Sequence, residues 1–410
     1  MDKVSASREA KEGMFDVADF LARNSRIPSL DGWRALSIAL VIGSHVQLMS
    51  AFSAAPDRRI FFFGEYGVDV FFVVSGFLIT YLLLIETKNF GTISIKDFYI
   101  RRAYRILPIY FAFLAVVFAI TLITACQISG QHWAQLLTFT ANYKIGDSIP
   151  GSVAHIWSLS VEEQFYLAWP SLLLLTLSRR KPVFWTVIGI GLFVALPPVA
   201  RLAGYIGMGG MFTGYFSFFT RCDGLALGAL AAALCVFKGG WVERNIARYF
   251  AILMSVSLML ILAVIISFKE HLLGPVMLPF GRTVFGIGTA TIIVASIKYQ
   301  DRPIFAWLNW RPVVFVGVLS YSLYIWQQLF TTRAEMYGLE TAPWFLTPEL
   351  FLLPLFAVAY CMHFAVERPF LSLKNRLFKK VGDKQRGSDD AGPSSKAELD
   401  AATDGADLRP

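Results

Sequence analysis

The chain has 410 residues, of which 56% are hydrophobic and only 16% charged, with a formal net charge of +8. A soluble protein of this length carries about a quarter charged residues, so a water-soluble globule is excluded and an integral membrane protein remains. The positive excess sits in short segments between apolar runs, which points to topology and anionic headgroups and away from nucleic acid.

Residues 1–29 mix both charge signs and lack a short apolar core with a cleavage site, so they read as a cytoplasmic arm, not a signal peptide. About ten apolar runs follow, near 34–53, 67–86, 106–126, 156–177, 183–201, 215–237, 249–267, 282–297, 312–330 and 348–366. They predict an all-α, polytopic helical bundle over residues 30–372. The stretch from about 382 is rich in Gly, Ser, Asp and Ala, so residues 373–410 read as a cytoplasmic, largely disordered tail.

The segments 86–105, 178–182, 238–248 and 298–311 hold fourteen Lys and Arg. The opposite segments hold seven: Arg58, Arg59, Lys144, Arg201, Lys269, Arg282 and Arg333. The positive-inside rule places the first set, and with it both termini, in the cytoplasm. Cys126, Cys222, Cys235 and Cys361 lie in apolar surroundings without metal spacing and read as small core residues. No two related halves of a transporter are visible.

Arg34 and His45 bracket the apolar stretch ALSIALVIGS. Eleven positions are about three helical turns, so both side chains fall on one helix face, about 16 Å apart along the axis. An ionisable group at membrane depth is costly and usually faces a pathway or a reaction centre. The plain alternative is an arginine anchored at the headgroups and a histidine at a helix contact. On the predicted topology, Asp69, Glu162, Arg221 and Asp223 fall near the level of His45, with Ser75 close by. Glu162 or Asp69 is then the expected carboxylate to orient the imidazole.

Arg102 and Arg105, in RRAYRILPIY, are three apart on a predicted helix face at the cytoplasmic side. Two guanidinium groups there suit a phosphate-bearing donor, and simple positive-inside anchoring is the alternative. Ser75 sits in VVSGF, which lacks the first glycine of a hydrolase elbow. No Gly-rich phosphate loop or HExxH-type metal set is present.

Seven stretches in order give the chain a family resemblance: LDGWRALSIALVIGSH, GVDVFFVVSGFLIT, RRAYRILPIY, HIWSLSVEEQFYLAWP, RCDGLALGAL, SYSLYIWQQ and VERP. Together they span about residues 28–372, and the chain resembles the membrane-bound acyltransferase-3 family of bacterial O-acyltransferases. The resemblance implies about ten spans in a bacterial inner membrane and a cytoplasmic acyl-CoA, most often acetyl-CoA, as co-substrate, with no metal. It implies hydroxyl acceptors on lipid-linked or surface sugars, as in lipopolysaccharide or exopolysaccharide biosynthesis. By the same resemblance Arg34 and His45 form the catalytic pair, with Glu162 and Asp69 beside them. Arg102 and Arg105 belong to the donor side, and Ser75, Trp157, Ser158, Tyr166, Arg221 and Asp223 are substrate or oxyanion candidates. Relatives often carry histidine where this chain has Gln327. The rival reading is a transporter or flippase of a polar or lipid-linked substrate.

Overall fold

Helices form wherever the sequence stays apolar for long enough, and among the described residues no strand occurs. The computed structural model describes residues 27–46, 64–143, 149–207, 216–269, 274–374 and 376. The expected arm before residue 27 and the tail beyond 376 lie outside the described residues. The helices are α1 (Pro28–Val46), α2 (Gly64–Phe90), α3 (Ile95–Ile123), α4 (Gly130–Leu137), α5 (Ile156–Leu177) and α6 (Pro182–Gly207). After a short turn at Phe218–Arg221 come α7 (Asp223–Phe237), α8 (Gly239–Lys269), α9 (Gly274–Lys298), α10 (Arg311–Thr331) and α11 (Leu352–Met362).

Among the described residues, six stretches are long and apolar enough to cross a membrane: Gly64–Phe90, Ile95–Ile123, Pro182–Gly207, Gly239–Phe268, Val276–Lys298 and Arg311–Thr331. The runs expected near 156–177 and 348–366, and the described parts of those near 34–53 and 215–237, fall on helices that are shorter or more often interrupted by polar residues, while 47–53 and 215 lie outside the described residues. Large apolar side chains face outward on α3, α6 and α8, among them Ile123, Leu192, Ile206, Ile252 and Met259. An apolar exterior of this kind suits lipid and not water, which makes this a multi-pass membrane protein.

The turn between α2 and α3 is closed by polar caps. Ser94 accepts a hydrogen bond from the Asp97 amide at 3.3 Å, as an N-cap should. Glu86 accepts from the Ser94 amide at 2.7 Å and from Arg101 at 2.8 Å. Arg101 is therefore committed to the turn, whereas its neighbour Arg102 is not.

Small residues let backbones meet, the usual means of packing helices in lipid. A Cβ at Gly76 would lie 1.9 Å from the Leu225 carbonyl oxygen, and one at Gly228 would lie 2.0 Å from that of Val73. These two contacts lock α2 against α7 with the helices running in the same direction. They bring Asp69 on α2 beside Arg221, just ahead of α7. The helices α1 and α10 also run in the same direction, with Gly317 against the Asp31 carbonyl oxygen.

Two residues assigned to outer segments belong elsewhere. Arg201 lies within α6 and Arg282 within α9, and their side chains are buried, at 3% and 6% exposure. Both are paired with carboxylates, so neither reports on topology. Without them the charge asymmetry grows, with five cations in the opposite segments against fourteen.

Candidate active site

The polar residues expected at one level fall into separate groups. At one end of the bundle, Arg34 on α1 meets Arg102 and Arg105 on α3. Arg105 lies within electrostatic range of Arg34, Arg102, Asp31 and Glu367. Asp31 sits 3.7 Å from Arg34. Glu367, in the π-helical turn after α11, is held by His363 at 2.9 Å and by the Ser322 hydroxyl at 3.4 Å. Arg102 lies within electrostatic range of a further acidic side chain, Glu163 on α5, so three arginines share three acidic residues. The Nε atoms of Arg34 and Arg102 are buried without a hydrogen-bond partner. Guanidinium groups with donors left over suit an incoming phosphate.

Arg102 also lies 4.0 Å over the ring of Tyr166 on α5. The Tyr166 hydroxyl and the Ser75 hydroxyl both donate to Oε1 of Glu162, and they contact each other. All three side chains are buried. Ser75 is therefore a donor to a carboxylate. Its neighbour Gly76 is a packing residue, so much of the SGF signal concerns the α2–α7 crossing.

A cavity of about 30 Å³, room for one water, lies inward of His45 between α1, α2, α5 and α10. Its walls include Ser37, Val41, Ser158, Glu162, Tyr321 and Tyr324. The Tyr324 hydroxyl donates to the His155 carbonyl oxygen at 2.6 Å, and so the Ser158 hydroxyl donates to Tyr324 at 2.5 Å.

His45 stands one turn above Val41 at the end of α1. Its Nδ1 lies 2.8 Å from the Val41 carbonyl oxygen. A carbonyl only accepts, so Nδ1 carries the proton and Nε2 of the neutral ring keeps its lone pair. The expected orienting carboxylate is replaced by a main-chain carbonyl of the same helix. The reason is local: the i−4 carbonyl is within reach, while Glu162 and Asp69 are engaged elsewhere. A second imidazole, His155, is buried within electrostatic range of His45, with its Nε2 donating to the Ile325 carbonyl oxygen at 3.1 Å.

Asp69, Arg221 and Asp223 belong to an ion-pair network toward the same end as His45. Asp69 accepts from Arg282 at 2.5 Å and lies 3.8 Å from Arg221. Arg282 also binds Glu65. Arg221 stacks 4.6 Å over Trp157, beside Ser158 on α5. Asp223 accepts from Arg201 at 2.8 Å and from the Thr283 hydroxyl at 2.6 Å.

The residues that sequence reasoning did not single out are His155, Tyr324, Arg201, Arg282, Glu65 and Glu367. Two were within reach. His155 opens the HIWSLS stretch, and Tyr324 stands one turn beyond Ser320 on a helix with polar residues at helical spacing. The ion pairs were not, because Asp69 and Arg282 are 213 positions apart.

The model of a family described as an acyltransferase domain, the acyltransferase-3 family, matches residues 27–366. The chain is 28% identical over 320 residues to the peptidoglycan O-acetyltransferase OatA of Listeria monocytogenes, covering 73% of this chain and 48% of that protein. It is 26% identical over 327 residues to the O-acetyltransferase OatA of Staphylococcus aureus, covering 73% of this chain and 50% of that one. The chain thus spans about half the length of the curated relatives it matches. No solved structure matches it. With its family model covering most of the bundle, the chain belongs to the acyltransferase-3 family.

Proposed function

We propose that the protein is an O-acyltransferase of a bacterial inner membrane, moving an acyl group, most simply acetyl, from cytoplasmic acyl-CoA to a hydroxyl of a glycan or glycolipid precursor. The observation that carries this reading is the alignment along α1. A cationic cluster lies at Arg34, a small cavity with Glu162 and Ser158 in its wall follows, and an imidazole with a lone pair on Nε2 stands at His45. The loop charges support a cytoplasmic Arg34 end, the side on which acyl-CoA is found.

Arg102, Arg105 and Arg34 hold the donor's phosphates, and its thioester arm extends along the Ser37–Val41 face toward His45. Occupying the cavity requires the Tyr321 and Tyr324 rings to part. Nε2 takes the proton of the acceptor hydroxyl as its oxygen bonds to the thioester carbonyl carbon. The tetrahedral oxyanion then collapses, the carbon–sulfur bond breaks, and the thiolate leaves with the proton returned by the imidazolium. General-base help of this kind contributes roughly 10²–10⁴-fold. Glu162, on the cavity wall, offsets the positive charge that develops on the ring. Ser158 and Tyr324 line the cavity and would leave their present acceptors to donate to an oxyanion, and Arg221 lies behind Trp157. Asp69 acts through Arg221 by holding its position.

The test is mass spectrometry of cell-surface glycans from cells with and without the gene, alongside transfer from labelled acetyl-CoA in membranes. One added acyl group per acceptor, drawn from the labelled donor, is the expected result. Identical glycan masses with no consumption of acyl-CoA would overturn the reading.

A further inference from the structure

Two adjacent carboxylates on α5 differ in how they are served. Glu162 Oε1 accepts from both Ser75 and Tyr166. Glu163 Oε1 is buried without a hydrogen-bond partner. Two phenols within electrostatic range of Glu163, those of Tyr110 and Tyr321, are already spent. Tyr321 donates to the Ile106 carbonyl oxygen at 2.9 Å, and Tyr110 donates to that of Leu136 at 2.8 Å. A buried carboxylate oxygen without a donor is costly, so its place suits a ligand that brings one.

Arg102 supplies the opposite half. Its guanidinium lies 4.0 Å over the Tyr166 ring, and Tyr166 is one turn of α5 from Glu163. Arg102 and Glu163 are within electrostatic range of each other. Arg102 Nε, like Glu163 Oε1, is buried without a hydrogen-bond partner. A donor and an acceptor left over in neighbouring side chains are the complement of a secondary amide. The amide carbonyl accepts from Nε–H while the amide N–H donates to Oε1.

The level of the pair is that of the donor's path. From Tyr166 under Arg102, α5 leads through Glu162 and Ser158 on the wall of the inner cavity to His155, which is within electrostatic range of His45. Glu163 is thus on the His45 side of Arg102, where the arm of a donor held by its phosphates begins.

We infer that Arg102 Nε and Glu163 Oε1 together read one secondary amide of the acyl donor's pantetheine arm, the one nearer the phosphates. Coenzyme A carries two such amides between its pyrophosphate and its sulfur. The Nη atoms of Arg102 remain for phosphate, so one guanidinium spans the junction of charged head and neutral arm. The inference rests on the acyl-CoA reading and deepens it, making Glu163 a specificity residue for the donor. It also accounts for an acid placed beside a phosphate site, where its charge alone repels the ligand.

The experiment is isothermal titration calorimetry on the purified full chain in detergent, with coenzyme A and adenosine 3′,5′-bisphosphate as probes. The second probe has phosphates but no arm. Glu163→Leu weakens coenzyme A about tenfold or more, the worth of a hydrogen bond to a charged group. The same change leaves the bisphosphate as tight as before or tighter, because a negative charge is gone. Glu163→Gln, whose carbonyl oxygen still accepts, restores most of the affinity for coenzyme A. With the wild type, coenzyme A methylated at both arm amide nitrogens binds about tenfold more weakly or worse, which decides the matter if Glu163→Leu fails to fold. Coenzyme A binding that Glu163→Leu does not weaken, or weakens together with bisphosphate binding, would overturn the inference. Equal affinity of the wild type for methylated and unmethylated coenzyme A would do the same. No binding of coenzyme A to the wild type would overturn the acyl-CoA reading, and this inference with it.

Discussion

Two polar regions are buried in this apolar bundle, and they differ in how their charges are matched. In the Arg201–Asp223–Thr283 and Arg282–Asp69–Glu65 network, arginines meet carboxylates directly, at 2.8 Å for Arg201–Asp223 and 2.5 Å for Arg282–Asp69. Along the line from Arg34 to His45, the Nε atoms of Arg34 and Arg102 lack a hydrogen-bond partner, a cavity intervenes, and the imidazole keeps an acceptor lone pair. Buried charge that is matched holds helices together, and buried charge that is unmatched awaits a ligand. A count of ionisable residues at one depth does not separate the two kinds. Their partners do.

The sharpest way to break this contrast is to unmatch the network. Arg201→Ala leaves Asp223 buried beside a hydroxyl alone and should cost about 3–5 kcal/mol of stability. Thermal unfolding and the yield of folded protein in membranes read this directly. Replacing both partners, Arg201→Met with Asp223→Leu, should restore most of that stability and leave acyl transfer measurable. A double variant that folds normally yet transfers no acyl group would move this pair from the framework into the site.

The arginine cluster should respond in the opposite sense. Arg105→Gln removes a charge from a like-charged group, so it should fold at least as well as the wild type. It should instead raise the KM for acyl-CoA about 10- to 100-fold, the worth of one charge-assisted contact of roughly 1.5–3 kcal/mol. Loss of folded protein with unchanged KM would make the cluster structural. The smallest effect is expected at Ser75. Ser75→Ala removes one of two donors to Glu162, about 1 kcal/mol, and should lower turnover less than tenfold. A complete loss would mean that Ser75 carries the acyl group.

Much of the fold was legible because hydropathy and length are local properties. The helices came out near the predicted runs, and Arg102 and Arg105 lie within electrostatic range of one another on α3 whereas Arg101 is tied to Glu86. The partners were less legible. Spacing along an ideal helix placed Ser75, Asp69, Glu162 and Asp223 near His45, but the Gly76–Leu225 and Gly228–Val73 contacts draw α2 toward α7. Asp69 goes with Arg221 and Arg282, and Ser75 goes with Glu162 and Tyr166. The orienting group of His45 was hidden for a different reason: it is a backbone carbonyl, which every sequence offers at every position. Arg201 and Arg282 looked like segment charges because nothing local announces a partner tens or hundreds of residues away.

The central claim is that the Nε2 lone pair of His45 does the chemistry. The most direct measurement is acyl transfer from labelled acetyl-CoA by membranes carrying His45→Ala, matched to wild type for the amount and thermal stability of folded protein. Transfer should fall by about 10²–10⁴-fold, the range for loss of a general base, while the unfolding temperature stays close to that of the wild type. Transfer at the wild-type rate in a normally folded His45→Ala protein would contradict the account.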